Sequence, residues 1–251
     1  MTASVAPAGM GGAVGTPPAL EITELHAWYG ESHILHGVNL AVAPGQVLTL
    51  LGRNGAGRTT LLRAIMGLTG SRTGSVRVHG QESIDLPTHR IARLGLGYCP
   101  EERGIFASLS AEENLRLPPR LKAGRGRAMT EAQIFELFPN LGERRSSQGT
   151  RLSGGEQQML AVARILRTGA DILLLDEISE GLAPVIVQTL ACTINTLKQQ
   201  GFTIVMVEQN FRFAAPLADH FCVIEHGQVA LSFPARELAE RKSALDTLLS
   251  V

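Results

Sequence analysis

The sequence predicts an α/β fold built on a mainly parallel sheet, with a small antiparallel β subdomain and an inserted helical subdomain. Three short apolar runs, Val47–Leu51, 172–175 and Thr203–Val207, have the length and composition of strands buried on both faces. Helical periodicity over 157–167 precedes the second run, and helical periodicity over 185–199 separates the second run from the third. Because strands and helices alternate, we expect a parallel sheet covered by helices on both faces.

Two regions of the chain depart from this alternation. Residues 20–42, together with 74–79, read as short alternating strands joined by glycine turns, which predicts the antiparallel subdomain. The polar stretch of about 101–160 is helical in pieces and predicts the inserted helical subdomain. Residues 1–19 are rich in Ala, Gly and Pro, and we expect a disordered tail because such small residues bury too little surface. Residues 20–251 are then one domain.

Composition and charge argue against several classes of protein. The chain has 251 residues, and 23 Lys and Arg balance 23 Asp and Glu, so nothing in the net charge favours a nucleic-acid partner. No segment approaches the roughly 18–20 consecutive apolar residues that cross a bilayer, although the chain could dock onto a protein that does. The three cysteines, Cys99, Cys192 and Cys222, have no close spacing, which indicates a reducing cytoplasm rather than a disulfide framework.

A glycine-rich loop between the first buried strand and a helix nearly matches the phosphate-binding pattern of Gly, four residues, Gly-Lys and Ser or Thr. The loop consists of Gly52, Arg53, Asn54, Gly55, Ala56, Gly57, Arg58, Thr59 and Thr60. Glycines let successive N–H groups point into one concavity, and the helix N-terminus adds partial positive charge for phosphate. The Thr59 hydroxyl is placed to bind Mg²⁺. The strand before and the helix after the loop favour this interpretation over an ordinary turn.

Arg58 departs from the pattern, which has Lys at this position. Both side chains are cations, so attraction to phosphate survives, but Arg is longer, planar and forked and cannot act as the same compact point charge. We therefore expect nucleotide binding to be retained. Hydrolysis is the open question, because each ~1.4 kcal/mol of lost transition-state stabilisation slows the step about tenfold.

Two further motifs carry chemistry. Asp176 follows an apolar run, so it emerges at the carboxyl end of a strand, where it can hold Mg²⁺ and where the adjacent Glu177 can polarise an attacking water. Ser153, Gly154 and Gly155 open a helix and form a second candidate anion site at its N-terminus. A capping box with Glu at the third helical position explains Ser153 by itself but does not explain the two glycines.

This order of motifs resembles the ATP-binding cassette (ABC) ATPases, and the resemblance runs from about Leu20 to the C-terminus. It implies a P-loop NTPase fold that binds ATP and Mg²⁺ and works as a head-to-tail dimer. Ser153–Gly155 of one chain would close over the γ-phosphate held by Gly52–Thr60 of a second ABC ATPase subunit. Tyr29 matches the aromatic residue that stacks on adenine in this family, although on residue type alone it is an ordinary strand aromatic.

Two substitutions resemble the ATPase subunits of branched-chain amino acid importers. Glu101 occupies the position where the family usually has a Gln that senses the γ-phosphate, and Gln209 occupies the position of the usual His. The resemblance implies an ATPase, catalysed by Glu177 and Gln209, on the inner face of the cell membrane. Its partners would be transmembrane permeases and, indirectly, a periplasmic solute-binding protein. Residues 179–182 lean towards the urea-type relatives, so the transported solute stays open.

Two other functions compete with this one. A regulatory subunit that binds nucleotide with weak or no hydrolysis is supported by Arg58 alone. A cassette ATPase of DNA repair or translation is disfavoured, since those proteins carry coiled-coil insertions or two cassettes for which 251 residues leave no room. The sequence does not distinguish a homodimer from a heterodimer.

Overall fold

The computed structural model describes residues 16–121 and 128–249. The strands are β1 (Leu20–Tyr29), β2 (Ser32–Val42), β3 (Val47–Leu51), β4 (Ser71–Val78), β5 (Gln81–Glu82), β6 (Leu96–Cys99), β7 (Ile172–Asp176), β8 (Thr203–Val207), β9 (His220–Glu225) and β10 (Gln228–Pro234). The helices are α1 (Arg58–Ile65), α2 (Thr88–Ala92), α3 (Ala111–Arg116), α4 (Glu131–Leu137), α5 (Pro139–Glu143), α6 (Gly154–Thr168), α7 (Pro184–Gln199), α8 (Phe211–Ala214) and α9 (Leu238–Leu249), with 3₁₀ turns at Gly149–Arg151 and Ala235–Glu237.

The larger sheet is mainly parallel, as predicted. Its order is β10-β9-β3-β8-β7-β6, in which only the edge strand β10 runs antiparallel to its neighbour. Strands β3 and β8 have the predicted bounds, and β7 extends one residue further to include Asp176. Every residue of these three strands is buried, because helices and the smaller sheet cover both faces.

The antiparallel subdomain predicted from the N-terminal alternation is also present. It is a four-stranded sheet of order β2-β1-β4-β5, in which β1 pairs with both β2 and β4. The first fifteen residues of the predicted tail lie outside the described residues. Ala19, at the predicted end of that tail, is buried, and its backbone bonds to Val42 and His79 at 2.8 Å each.

The polar middle of the chain folds into the short helices α3, α4 and α5, and it leads into α6. Helix α6 starts at Gly154, earlier than the periodicity suggested, and it continues past residue 160 to Thr168. Buried residues of α4 and α5, including Ile134 and Leu141, share one apolar cluster with Met159 of α6. Within the two described segments, no helix is long and apolar enough to cross a membrane.

Strand β7 separates two apolar clusters. Leu173 and Leu175 face the cluster that includes α6 and α7, whereas Ile172 and Leu174 face the cluster that includes α1 and the antiparallel sheet. This alternation follows from the two-residue period of a strand, since successive side chains point to opposite faces. Asp176, the next residue in the strand, therefore projects at the carboxyl edge of a sheet that is packed on both sides.

The turn between β9 and β10 fixes the antiparallel sheet against the phosphate loop. The Gly227 N–H donates to the Ala56 carbonyl at 2.9 Å, and the Gly227 carbonyl accepts from the His36 N–H at 2.9 Å. Gly227 has a φ of +73°, and a Cβ there would overlap the Ile34 carbonyl oxygen. A residue without a side chain is required where the two subdomains meet.

We predict that Gly227→Ala destabilises the chain far more than the matched change Gly201→Ala. Gly201 also has a positive φ, +86°, but nothing lies within 4 Å of its added Cβ, so that variant carries only backbone strain of about 1–2 kcal/mol. Gly227→Ala must also move a backbone carbonyl, which adds at least ~2 kcal/mol. Urea unfolding of both variants measures the difference. Equal losses would contradict the close-contact explanation.

Candidate functional site

The predicted phosphate loop lies between the end of β3 and the start of α1. Gly52 has a φ of +150°, and a Cβ at this position would overlap the Ile224 carbonyl oxygen of β9. Gly57 precedes α1 in the left-handed region with a φ of +105°. These two glycines let the chain turn sharply under a neighbouring strand and aim the N-terminus of α1 at the space above the loop.

A cleft of about 510 Å³ opens above this loop. It is lined by Tyr29, Ile34, Asn54, Gly55, Ala56, Gly57, Arg58, Thr59, Thr60, Glu101, Glu177, Glu180 and Gln209. The structure therefore brings together most of the site residues that the sequence indicated, from both ends of the chain. Tyr29 is the last residue of β1 and is 38% exposed at the rim of the cleft.

Thr59 lines the cleft and contacts Asp176, which is fully buried and does not line it. The Thr59 hydroxyl donates to Oδ1 of Asp176 at 3.0 Å, and the Tyr98 hydroxyl donates to Oδ2 at 3.1 Å. Burial raises the pKa of the Asp176 carboxyl, while the hydrogen bonds from Thr59 and Tyr98 oppose that shift. The result is a buried carboxylate whose two oxygens are held in fixed directions.

Arg58 and Glu177 form a buried ion pair. The Arg58 guanidinium lies 3.2 Å from Oε1 of Glu177, and it also contacts Oδ1 of Asn54 at 3.3 Å and the Glu208 carbonyl at 3.5 Å. Gln209 donates to Oε2 of Glu177 at 2.8 Å. Glu177 has a φ of +48°, which is uncommon for a residue with a side chain and is maintained only where the surroundings fix the backbone.

Three carboxylates share the same end of the cleft. Oxygens of Glu101, Glu177 and Glu180 lie within 4.8 Å of one another, and within the described segments this is the one group of three His, Cys, Asp or Glu side chains so close together. A side-chain hydrogen bond to Glu177 raises the pKa of Glu180, with a smaller contribution from burial. The Arg58 charge faces a surplus of negative charge here.

Ser153 caps α6, and the glycines after it serve close packing. Ser153 and Glu156 form a capping box, in which the Ser153 oxygen accepts from the Glu156 N–H at 3.3 Å and Glu156 accepts from the Ser153 N–H at 2.7 Å. A Cβ on Gly155 would lie 2.8 Å from the Ile186 side chain. Ser153, Gly154 and Gly155 do not line the cleft of their own chain.

Two residues at the site escaped the sequence reasoning. Tyr98 supplies the second hydrogen bond to Asp176, and Glu208 is a carboxylate with 1% exposure that bonds to Ser179. Burial raises the pKa of Glu208 to about 7, against the lowering effect of its hydrogen bonds with Ser179. Asp176 is the last residue of the apolar strand β7, and Glu208 directly follows the apolar strand β8. This shared position at a strand end was the sequence feature that could have marked Glu208 as a site residue.

A phosphate loop facing an Asp-Glu pair at the carboxyl edge of a parallel sheet defines a P-loop nucleotide-binding protein. The chain belongs to the ABC transporter family, whose model matches residues 35–180, and within that family it is an ATP-binding ATPase subunit.

Curated relatives match nearly the whole chain. It is 37% identical over 230 residues to the high-affinity branched-chain amino acid transport ATP-binding protein BraG of Pseudomonas aeruginosa, which covers 92% of this chain and 99% of BraG. It is 34% identical over 224 residues to the probable branched-chain amino acid transport ATP-binding protein LivF of Archaeoglobus fulgidus, covering 89% and 95% respectively.

Solved structures share the fold. A nucleotide-free ATP-binding cassette from an ABC transporter matches with a TM-score of 0.79 at 20% identity, over 92% of this chain and 97% of that chain. A dimeric cassette in a post-hydrolysis state with ADP and phosphate matches with a TM-score of 0.75 at 22% identity, over 86% and 99%. These matches confirm the predicted α/β architecture.

We predict that Glu208→Gln gains stability over the wild type as the pH rises from 5 to 8. The folded-state pKa of Glu208, about 7, lies above the ordinary value of 4.5, so the folded chain binds more protons than the unfolded chain between these values. Wild-type stability therefore falls with rising pH through this window, whereas the neutral amide is unaffected. The relative gain is up to ~3 kcal/mol, at about 1.4 kcal/mol per pKa unit.

Urea unfolding at pH 5 and pH 8 measures this gain. Glu102→Gln, at a side chain that is 69% exposed, is the control and should show little change between the two values. A Glu208→Gln effect that is identical at both pH values would show that the wild-type carboxyl titrates normally.

Proposed function

We propose that this chain hydrolyses ATP to power the uptake of branched-chain or related amino acids through separate membrane permeases. The observation that carries the proposal is the meeting of Arg58, Glu177 and Gln209 above the phosphate loop, at 3.2 and 2.8 Å. This arrangement supports hydrolysis, because a γ-phosphate bound above the loop, and its attacking water, would lie near a carboxylate and an amide. The solute class is supported by the names of BraG and LivF.

In this proposal each site residue has one role. The backbone of Gly52–Thr60 holds the phosphates, and the Arg58 guanidinium neutralises their charge. Tyr29 stacks on adenine from the rim of the cleft. Glu101 contacts the γ-phosphate region through the attacking water. Glu177 orients and polarises that water, and Gln209 holds Glu177 in place while its amide can also donate to phosphate.

Thr59 and Asp176 suit a bound Mg²⁺. Their oxygens lie 3.0 Å apart, and Mg²⁺ prefers a hydroxyl or carboxylate together with phosphate oxygens. When bound, the ion would neutralise part of the phosphate charge. Thr59 lines the cleft and could meet the ion directly, whereas the buried Asp176 would hold it through water.

The position of Ser153–Gly155 outside the cleft supports a second cassette subunit as a partner. We propose that a second ABC ATPase subunit, either a copy of this chain or a related one, supplies these residues to the γ-phosphate. The assembled pair would sit on the inner face of the cell membrane against transmembrane permeases, with a periplasmic solute-binding protein acting on the far side. No nucleic acid takes part.

We predict measurable ATP turnover by the wild-type chain isolated together with its partner subunits. Glu177→Gln should reduce kcat by roughly 10²-fold or more, since it removes the group that polarises water. Arg58→Lys should keep turnover within about tenfold, because the cation is retained while the fork is lost. Glu102→Gln, an exposed neighbour outside the cleft, serves as the matched control and should leave the rate unchanged.

The competing regulatory function predicts a different outcome. If wild-type turnover does not exceed the Glu177→Gln background while ATP still binds, the chain is a nucleotide-binding regulatory subunit. Radiolabelled amino acid uptake in vesicles that contain the complex tests the solute class, and uptake of an unrelated solute alone would reject it.

A further inference from the structure

Glu208 is a buried carboxylate that joins two segments of the site. Its Oε1 accepts from the Ser179 N–H at 3.1 Å, and its Oε2 accepts from the Ser179 hydroxyl at 2.7 Å. With 1% exposure, Glu208 has almost no access to water, and it does not line the cleft. Burying a carboxylate costs folding free energy unless hydrogen bonds compensate for its lost contact with water.

The two segments that Glu208 joins carry the groups proposed to act on water. Ser179 follows Glu177 by two residues, and Glu208 directly precedes Gln209. A second side-chain contact, from Gln209 to Glu177 at 2.8 Å, links the same two segments, and the Glu177 N–H donates to the Val207 carbonyl at 2.9 Å. The segments are thus tied on both sides of Glu177.

We propose that Glu208 is a positioning residue that holds Glu177 and Gln209 in their working geometry through its two hydrogen bonds to Ser179. The inference rests on the proposed function, because it assumes that Glu177 and Gln209 act on the attacking water. Glu208 itself does not line the cleft, so it would not contact the bound nucleotide. It acts through the backbone of Ser179, which restrains the chain just after Glu177.

The backbone of Glu177 explains why such a restraint is needed. Its φ of +48° lies in a region that is costly for a residue with a side chain, so the local chain relaxes unless its neighbours hold it. A displacement of about 1 Å at a catalytic group can slow a reaction roughly 10²-fold. The two hydrogen bonds from Ser179 to the buried Glu208 carboxylate supply that restraint.

The contact geometry distinguishes two substitutions. Glu208→Ala removes both acceptors and leaves the Ser179 N–H and hydroxyl unpaired in a buried position. Glu208→Gln preserves both contacts, since its amide oxygen accepts from the N–H and its NH₂ group donates to the Ser179 oxygen. The two contacts between Glu208 and Ser179 therefore depend on side-chain shape and hydrogen bonding and not on the carboxylate charge.

The test is steady-state ATP hydrolysis by the complex of the full chain with its partner subunits. Glu208→Ala should lower kcat roughly 10–100-fold with KM and nucleotide affinity within about threefold, and Glu208→Gln should recover most of the loss. Ser179→Ala should lower kcat in the same direction, and the double variant should be no slower than Glu208→Ala alone, because one interaction is removed. Three results would each overturn the proposal. They are a wild-type kcat in Glu208→Ala, an equal loss of kcat in Glu208→Gln and Glu208→Ala, and additive losses of kcat in the double variant.

A second measurement does not depend on hydrolysis. Hydrogen exchange of the peptide that contains Glu177 and Ser179 should be faster in Glu208→Ala than in the wild type, and near the wild-type rate in Glu208→Gln. Unchanged exchange in the Ala variant overturns the positioning role. If the wild-type chain hydrolyses ATP no faster than Glu177→Gln, the proposed function is rejected. The hydrogen-exchange result alone then decides whether Glu208 restrains the segment that contains Glu177 and Ser179.

Discussion

Arg58 and Glu177 form a buried ion pair that joins the phosphate loop to the carboxyl end of β7, and the other contacts of the cleft are arranged around it. Both side chains are largely withdrawn from water, so the pair would separate only where each group gains another partner, and water in the cleft would be that partner for Glu177. A triphosphate would be that partner for Arg58. The fork of its guanidinium also spans Asn54 and the Glu208 carbonyl, which a single ammonium at this position would not do with the same geometry. In the proposed function, nucleotide binding would free Glu177 to contact water. Gln209 and the hydrogen bonds between Glu208 and Ser179 would keep Glu177 in place.

In the proposed function, the cleft of one chain is an incomplete site, because Ser153–Gly155 do not line it. Phosphate groups held by the loop would face outward, and the N-terminus of α6, with Ser153 and its glycines, lies elsewhere on the same chain. The capping box occupies the N–H groups of Ser153 and Glu156, so an anion on another surface would have to bond to other N–H groups of the first helical turn. In the proposed function, a second cassette subunit in head-to-tail contact would bring this helix N-terminus to the phosphate.

The sequence was sufficient for much of the fold because its clearest signals are local. Short apolar runs marked β3 and β8 to the residue, and the phosphate loop was recognisable between a strand and a helix. By contrast, β6 is only four residues long and contains Gly97, and it is a strand because it pairs with β7 far along the chain. The hydrogen-bond partner of Glu208 was also hidden, since Ser179 lies 29 residues away along the chain. Long-range pairing and the direction of a side chain at a strand end are set by packing, which a residue pattern does not record.

The most direct measurement is a structure of the wild-type chain, isolated with its partner subunits, bound to Mg²⁺ and a non-hydrolysable ATP analogue. We predict that the Arg58 guanidinium contacts a γ-phosphate oxygen, that Glu177 has left the ion pair and faces the same phosphate through water, and that a second cassette subunit covers the phosphate. A structure in which the nucleotide is bound while Arg58 still pairs with Glu177, or in which no second cassette approaches the γ-phosphate, would contradict this prediction.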